Sequence, residues 1–140
     1  MSTTYIMLEI AIILARTLIE LIFFAIGASI FSFLNVVIYR LPRHIQFSFG
    51  KSMCTSCGHS LAPNDLIPII SWVKLKGKCR YCGEPISARY TIVESIGGVS
   101  AVVCTLVLGI NIWALIAFFL SGVVTVVAYI LYDKVKNKES

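Results

Sequence analysis

Two long stretches without a charged residue restrict what this sequence can fold into. Residues 21–39 form the first stretch, and residues 95–132 form the second, which is 38 residues long. As a helix, the first stretch rises roughly 28 Å, close to the thickness of about 30 Å of a bilayer's hydrocarbon core. The second is about twice as long as one span requires. The sequence therefore predicts one transmembrane helix followed by a transmembrane helical hairpin.

The turn of the predicted hairpin falls at Gly109, Ile110 and Asn111. Glycine and asparagine end helices and tolerate turn conformations. Trp113 follows the turn, where an indole ring suits a membrane interface. Composition points to the same solvent, because 58% of the residues are hydrophobic and the mean hydropathy is +0.88. A soluble core of 140 residues cannot cover that much apolar surface.

The amino-terminal stretch differs from a cleavable signal peptide. Glu9, Arg16 and Glu20 precede an apolar run that is longer than the core of a signal sequence. We therefore predict that the first span is retained as an anchor. The predicted organisation is an amino-terminal segment with the first transmembrane helix at 1–40, a loop module at 41–90, the transmembrane hairpin at 91–133 and a basic tail at 134–140.

The distribution of basic residues predicts the orientation of the spans. Eight lysines and arginines lie between the first and second spans, against the acidic residues Asp65 and Glu84. Because basic loops stay on the cytoplasmic side, we expect the loop and the tail in the cytoplasm and the amino terminus outside. A basic loop can also contact anionic lipid or nucleic acid. We predict contact with the lipid bilayer and no nucleic-acid partner.

Four cysteines in the loop form two identical C-x-x-C pairs, Cys54 with Cys57 and Cys79 with Cys82, and a glycine follows each pair. Two residues between ligands let a tight turn aim both sulfurs at one tetrahedral ion, and glycine permits the positive φ of such a turn. In the reducing cytoplasm, structural disulfides are disfavoured. The pattern predicts a structural zinc site with four sulfur ligands and no position for a catalytic water. A redox-active dithiol pair and unligated cysteines are the alternatives.

One further cysteine and two histidines lie outside the two pairs. His59 follows the first cysteine pair and is expected near the site without binding the ion. His44 has no partner in the sequence. Cys104 falls within the second span, where we expect it to act as a small apolar residue.

A short element is predicted between the cysteine pairs. Pro68 can open a helical turn and Gly77 can close it. Ile69, Trp72 and Val73 share one face of that turn. This face is expected to lie on the membrane surface, to form the small core of the zinc module, or to do both.

Residues 32–42 read SFLNVVIYRLP and strongly resemble the exit of the first helix in type IV prepilin peptidases. The chain is similar to the amino-terminal cytoplasmic domain of this prepilin leader peptidase (A24) family over roughly residues 27–95. The similarity continues through both cysteine pairs and the following matches: His59, Leu61, Asp65, Leu66, Ile67, Pro68, Ser71, Trp72, Gly77, Lys78, Ile86, Ser87, Arg89, Tyr90, Val93 and Glu94.

This resemblance implies a multi-pass protein of the bacterial inner membrane. Full-length members of the family are aspartic proteases that remove the leader of type IV pilins and pseudopilins, and many also methylate the new amino terminus. They use one aspartate in a D-x-D stretch after the third span and another in a later G-x-G-D motif. Residues 130–133 read ILYD here. By this resemblance, Asp133 corresponds to the second aspartate of the D-x-D stretch, and Leu131 stands where the family has its catalytic aspartate. Phe31 also departs from the family, which usually has glycine there.

Protease chemistry of this kind needs two carboxyl groups close enough to share a proton. Only Glu94 and Asp133 are predicted at the right depth. We expect Glu94 to pair with Arg89 or Arg40, and Asp133 to be a solvated residue at a helix end. Seven residues follow Asp133 and contain no G-x-G-D motif. We therefore predict no catalytic residue, and no cofactor-binding residue besides the four cysteines.

Three functions fit these features. The first is a stand-alone amino-terminal module that serves as a non-catalytic membrane scaffold or partner for prepilins or for a separate peptidase half. The second is an enzyme that processes or N-methylates pilin-like proteins by itself. The third is a membrane-tethered zinc adaptor unrelated to pili. The complete cysteine array beside an incomplete aspartate motif favours the first.

Overall fold

The computed structural model of the chain describes residues 3–41 and 52–136, the last of these by its backbone alone. His44 and the end of the basic tail lie outside the described residues. The described helices are α1 (Thr3–Arg40), a 3-10 helix (Pro63–Asp65), α2 (Ile70–Lys74), α3 (Arg89–Leu108) and α4 (Ile112–Lys136). Helices α1, α3 and α4 are long and apolar enough to cross a membrane. The predicted α-helical membrane fold with three candidate spans is confirmed.

Helix α1 extends well beyond the predicted first span. Its 38 residues rise about 57 Å, roughly twice the thickness of a hydrocarbon core. Every side chain of residues 3–19 is exposed, and the first partly buried residue is Glu20. There the hydroxyl of Thr105 in α3 donates to Glu20 Oε2 at 2.9 Å. The longer helix has a simple cause, since residues 3–20 contain neither glycine nor proline to end it.

Helices α3 and α4 form the hairpin, and its turn lies at the predicted residues. Helix α3 ends at Leu108, and Gly109 follows with a φ of 75°, in the region that favours glycine. The side-chain carbonyl of Asn111 accepts hydrogen bonds from the amides of Trp113 and Ala114 at 2.9 and 3.0 Å. Asn111 therefore caps the start of α4.

Helices α1 and α3 pack antiparallel through glycines. A Cβ atom on Gly97 would lie 2.5 Å from the carbonyl oxygen of Gly27, so the two backbones touch directly. The Phe31 side chain is fully buried beside this contact, and its ring centroid lies 5.6 Å from that of Phe118 in α4. Cys104 is partly buried against the same core, as expected for a small apolar residue. The buried cluster comprises Phe31, Ile38, Val93, Ala101 and Phe118.

Candidate metal centre

The first cysteine pair lies in a tight turn that backbone hydrogen bonds close. The amide of Gly58 donates to the carbonyl of Cys54 at 2.9 Å, and the amide of Cys54 donates to the carbonyl of His59 at 3.0 Å. Gly58 has a φ of 69°, as predicted for the glycine after the pair. The chain enters and leaves the turn through an antiparallel bridge between Met53 and Ser60.

The second pair repeats this arrangement further along the chain. The amide of Gly83 donates to the carbonyl of Cys79 at 3.0 Å, and the amide of Cys79 donates to the carbonyl of Glu84 at 2.8 Å. Gly83 has a φ of 74°, and Lys78 and Pro85 form the matching bridge. The same local sequence, C-x-x-C-G, thus builds both halves of the centre.

The two turns bring all four cysteine sulfurs together. The Sγ atoms of Cys54, Cys57, Cys79 and Cys82 lie within 4.8 Å of one another, and those of Cys54 and Cys82 are 3.8 Å apart. A tetrahedral zinc ion with Zn–S bonds of about 2.3 Å holds neighbouring sulfurs roughly 3.8 Å apart. The cysteines are free rather than joined as disulfides. Their number, chemistry and spacing therefore fit a zinc ion.

The thiols of this cluster differ in pKa. Hydrogen bonds from the backbone amides of Cys57 and Ser56 lower the pKa of Cys54 to about 6. At Cys82 the amide of Glu84 also acts to lower the pKa, but desolvation and the neighbouring sulfurs together raise it to about 12. Four thiols in one small space cannot all ionise without a compensating cation. A divalent metal ion would supply that compensation.

His59 joins the two halves of the centre by ring stacking. Its centroid lies 3.6 Å from that of Tyr81, and the two ring planes are tilted by 33°. Tyr81 stands between Cys79 and Cys82, so this contact connects the first turn with the second. The group of four clustered ligands does not include His59.

An ion pair fixes the segment that connects the two turns. Arg80 donates through Nε to both carboxylate oxygens of Asp65, at 3.0 and 3.2 Å, and also through Nη2. The Asp65 side chain is almost fully buried, whereas that of Arg80 is partly exposed. The hydrogen bond and the charge of Asp65 raise the pKa of Arg80. The pair holds the 3-10 helix against the second cysteine turn.

The short element predicted between the cysteine pairs is present as α2, and its apolar residues divide between two surfaces. Trp72 faces the module, where its indole Nε1 donates to the carbonyl of Ile86 at 3.0 Å. A Cβ atom on Gly77 would lie 2.8 Å from the indole, so Gly77 leaves room for the ring. Ile70 and Val73 are each 62% exposed. Trp72 therefore contributes to the module's core, and Val73 does not.

A buried carboxylate connects this module to the long helices. Glu94 in α3, only 8% exposed, accepts a hydrogen bond from the hydroxyl of Ser32 at 2.7 Å and another from the amide of Ile69 at 2.8 Å. Ser32 belongs to α1, and Ile69 immediately precedes α2. One carboxylate thus joins three segments. Sequence reasoning had considered only arginines as its partners and missed these two donors.

Arg89, one of the arginines predicted to pair with Glu94, instead binds Asp133. Its Nη1 donates to Asp133 Oδ2 at 3.0 Å, and the side chains are 19% and 18% exposed. The prediction that Asp133 is a solvated helix-end residue is wrong, because the hairpin brings the start of α3 beside the end of α4. Opposite charges at the two open ends of a predicted hairpin were the available signal for this pair.

Asn35 is a second buried polar residue whose role the sequence did not reveal. It is 2% exposed, and its Nδ2 donates to the carbonyl of Tyr90 at 3.1 Å. The pair lies one helical turn from the contact of Ser32 with Glu94. A lone amide within a charge-free span is the sequence signal that could have indicated such a contact.

The fold and the site define a membrane protein with three candidate spans and a four-cysteine module between the first and the second. A family model described as "Bacterial Peptidase A24 N-terminal domain" matches residues 25–108, which is more than half of the chain. The chain therefore belongs to the bacterial peptidase A24 family, through its N-terminal domain. The resemblance found in the sequence is confirmed.

Curated relatives are similar over part of their own length. A prepilin leader peptidase/N-methyltransferase of Myxococcus xanthus is 44% identical over 81 residues, covering 58% of this chain and 24% of the relative. That of Vibrio cholerae is 46% identical over 83 residues, covering 53% and 33%. That of Aeromonas hydrophila is 33% identical over 135 residues, covering 79% and 47%. The chain thus spans less than half the length of these relatives. No solved structure gives a significant match.

Proposed function

We propose that residues 1–140 form a non-catalytic, zinc-stabilised membrane scaffold in the processing of type IV prepilins or pseudopilins. The scaffold holds the precursor, or the aspartate-bearing half of a peptidase, beside the membrane. The observation that carries this proposal is the state of the two membrane-boundary acids. Glu94 is bound by Ser32 and Ile69, and Asp133 is bound by Arg89.

Aspartic protease chemistry requires a different arrangement of acids. It needs two carboxyl groups that share a proton, one of which activates water while the other protonates the leaving group. Here each carboxylate is committed to separate donors, Glu94 to Ser32 and Ile69 and Asp133 to the guanidinium of Arg89. Glu94 and Asp133 therefore support the packing of the helices. In this proposal the catalytic pair comes from outside residues 1–140.

Zinc has a structural role in this proposal. Cys54, Cys57, Cys79 and Cys82 would hold it, and the ion would supply a cross-link between the two cysteine turns. Four sulfur ligands fill a tetrahedral site, so no position is left for a reacting water. The ion pair of Arg80 with Asp65 and the stacking of His59 on Tyr81 also join parts of the module.

We place the module on the cytoplasmic face of the bacterial inner membrane, with the amino terminus outside and the tail inside. Support comes from the eight basic residues between the first two spans and from Lys134 at the end of α4. Reporter fusions test this orientation. A phosphatase fused before Thr3 is expected to be active, and one fused within the module is expected to be inactive. The reverse pattern would contradict the orientation.

A reconstitution experiment tests the scaffold function. A type IV prepilin is placed in lipid nanodiscs with this chain, with the Vibrio cholerae relative lacking its matched amino-terminal segment, or with both. Loss of the leader, followed by immunoblot, is expected only when both are present. Co-purification of prepilin with this chain would support the same function.

The controls separate the competing functions. Cys54→Ser together with Cys57→Ser is expected to abolish the effect, whereas Cys104→Ser, within the span, leaves it intact. Leader removal by this chain alone would show an enzyme and overturn the proposal. Neither prepilin binding nor restored cleavage would favour an adaptor unrelated to pili.

A further inference from the structure

We propose that residues 66–73 of the four-cysteine module enter the adjacent leaflet of the bilayer as a short re-entrant segment. Their apolar side chains would lie among the lipid acyl chains. This inference concerns the surface next to the long helices and is independent of any role in prepilin processing. It rests on the depth of the hydrogen bond between Ile69 and Glu94, on the backbone geometry at Ile69 and on the exposed apolar side chains around it.

The depth follows from where the segment is attached. The amide of Ile69 donates to Glu94 Oε2 at 2.8 Å, and Glu94 lies five residues into α3, roughly 7 Å along the axis from Arg89. The same carboxylate binds Ser32, which lies eight residues, or about 12 Å, before the end of α1 at Arg40. Measured along α1 and along α3, Ile69 therefore lies between the two ends of each helix and not beyond them. We infer that this level is where the hydrocarbon layer begins.

The backbone at Ile69 shows how such a position is tolerated. Ile69 has φ 63° and ψ −53°, and the amide of Ile70 donates to the carbonyl of Pro68 at 2.6 Å. This is the geometry of a classic γ-turn, which is rare and strained for a β-branched residue. Irregular backbone at membrane depth persists only where protein groups satisfy it. The buried carboxylate of Glu94 does so for the Ile69 amide.

The side chains around this turn have the character of a lipid-contacting surface. Leu66, Ile67, Ile70 and Val73 are all exposed, although each is apolar. Exposed apolar side chains also lie along α1 and α3, the two candidate spans to which this segment is attached. Lys74 follows Val73 directly, and a lysine in that place can extend its charge to the headgroups. The chemistry fits phospholipid acyl chains under a polar headgroup layer.

Fluorescence quenching by brominated lipid tests this placement. Ile70→Trp and Val73→Trp are made in a Trp113→Phe background, and the full chain is reconstituted in nanodiscs of phosphatidylcholine with bromine near the headgroup end of the acyl chain. The fluorescence added by either tryptophan is expected to be lost. Lipid with bromine near the chain terminus should quench it less. Thr55→Trp, in the first cysteine turn, is the matched control and should retain its fluorescence.

Metal content is measured on each variant, because retained zinc shows that the module is intact. Quenching at positions 70 and 73 no stronger than at position 55 would overturn the proposal. Blue-shifted emission without quenching would also overturn it, since protein rather than lipid would then cover the surface. If Ile70→Trp or Val73→Trp loses its metal, Leu66→Trp takes its place. Its quenching is compared with that of Thr55→Trp in the same way.

Discussion

The hydroxyl of Ser32 and the carboxylate of Glu94, 62 residues apart in sequence, form a 2.7 Å hydrogen bond between α1 and α3. The other oxygen of Glu94 accepts the amide of Ile69. Glu94 is therefore the residue through which the cysteine module and the two long helices keep a fixed relation. Replacing Glu94 by a residue that can accept hydrogen bonds, and separately by one that cannot, distinguishes this role from simple packing.

Glu94→Gln and Glu94→Leu are expected to differ strongly. Glutamine can still accept from the Ile69 amide while its own amide donates to the Ser32 hydroxyl, so a loss of about 1 kcal/mol is expected. Leucine leaves both groups without a partner, and a loss of about 2–4 kcal/mol is expected. Hydrogen exchange at the Ile69 amide, measured in detergent, is the readout. Equal exchange in the two variants would contradict the role of Glu94 as an acceptor.

Removing one pair of sulfurs is expected to remove the metal without preventing membrane insertion. Cys54→Ser with Cys57→Ser leaves two ligands, whereas the spans insert because of their hydrophobicity. Metal analysis of purified protein should find one zinc per chain in the wild type and in Cys104→Ser, and none in the double variant. A wild-type protein without zinc under reducing conditions would refute the metal assignment.

The pair of Arg89 and Asp133 is expected to stabilise the open end of the helical hairpin, opposite the turn. Each side chain is less than one-fifth exposed, so Arg89→Met alone should cost about 2 kcal/mol by leaving a carboxylate unpaired. Asp133→Leu in the same chain should recover most of that loss, because it removes the orphaned charge. A double-mutant cycle from thermal unfolding in detergent measures the coupling. Additive losses would show that the two residues act independently.

The contact between Gly27 and Gly97 is expected to tolerate no side chain. In Gly97→Ala the new Cβ meets the backbone oxygen of Gly27, which cannot yield, so a loss of about 1–3 kcal/mol is expected. Gly122→Ala is the matched control, because its Cβ would approach the flexible end of Leu34 at 3.3 Å and the Phe31 ring at an ordinary contact distance of 3.7 Å. Thermal unfolding of both variants in the same detergent makes the comparison. Similar melting temperatures would argue against close helix packing here.

Phe31 illustrates why a departure from the family pattern could not be interpreted from the sequence. The family usually has glycine at this position, and a phenylalanine there could have lain on the lipid surface. In the structure its ring is fully buried between the glycine face of α3 and Phe118 of α4. The space that holds the Phe31 ring forms only where α1, α3 and α4 pack together.

Local signals were sufficient to predict the helices and the cluster of four cysteines. The charge-free stretches predicted the candidate spans, Gly109 and Asn111 predicted the hairpin turn, and the spacing of the cysteine pairs predicted which sulfurs converge. Each of these depends on residues close together in the chain. The charge-free stretch is shorter than α1, because charged residues such as Glu9 and Arg16 interrupt the apolar run without ending the helix.

The sequence by itself determined that this chain is a helical membrane protein with a four-cysteine module, because hydrophobic length and ligand spacing act over short distances along the chain. The tertiary structure alone decided that Glu94 binds Ser32 and Ile69 and that Arg89 binds Asp133. Such partners depend on which helix faces meet, and helix faces meet through packing between residues far apart in sequence. The sequence therefore indicated the depth of Glu94 and Asp133 in the membrane, whereas only the folded structure shows which donors each of them binds.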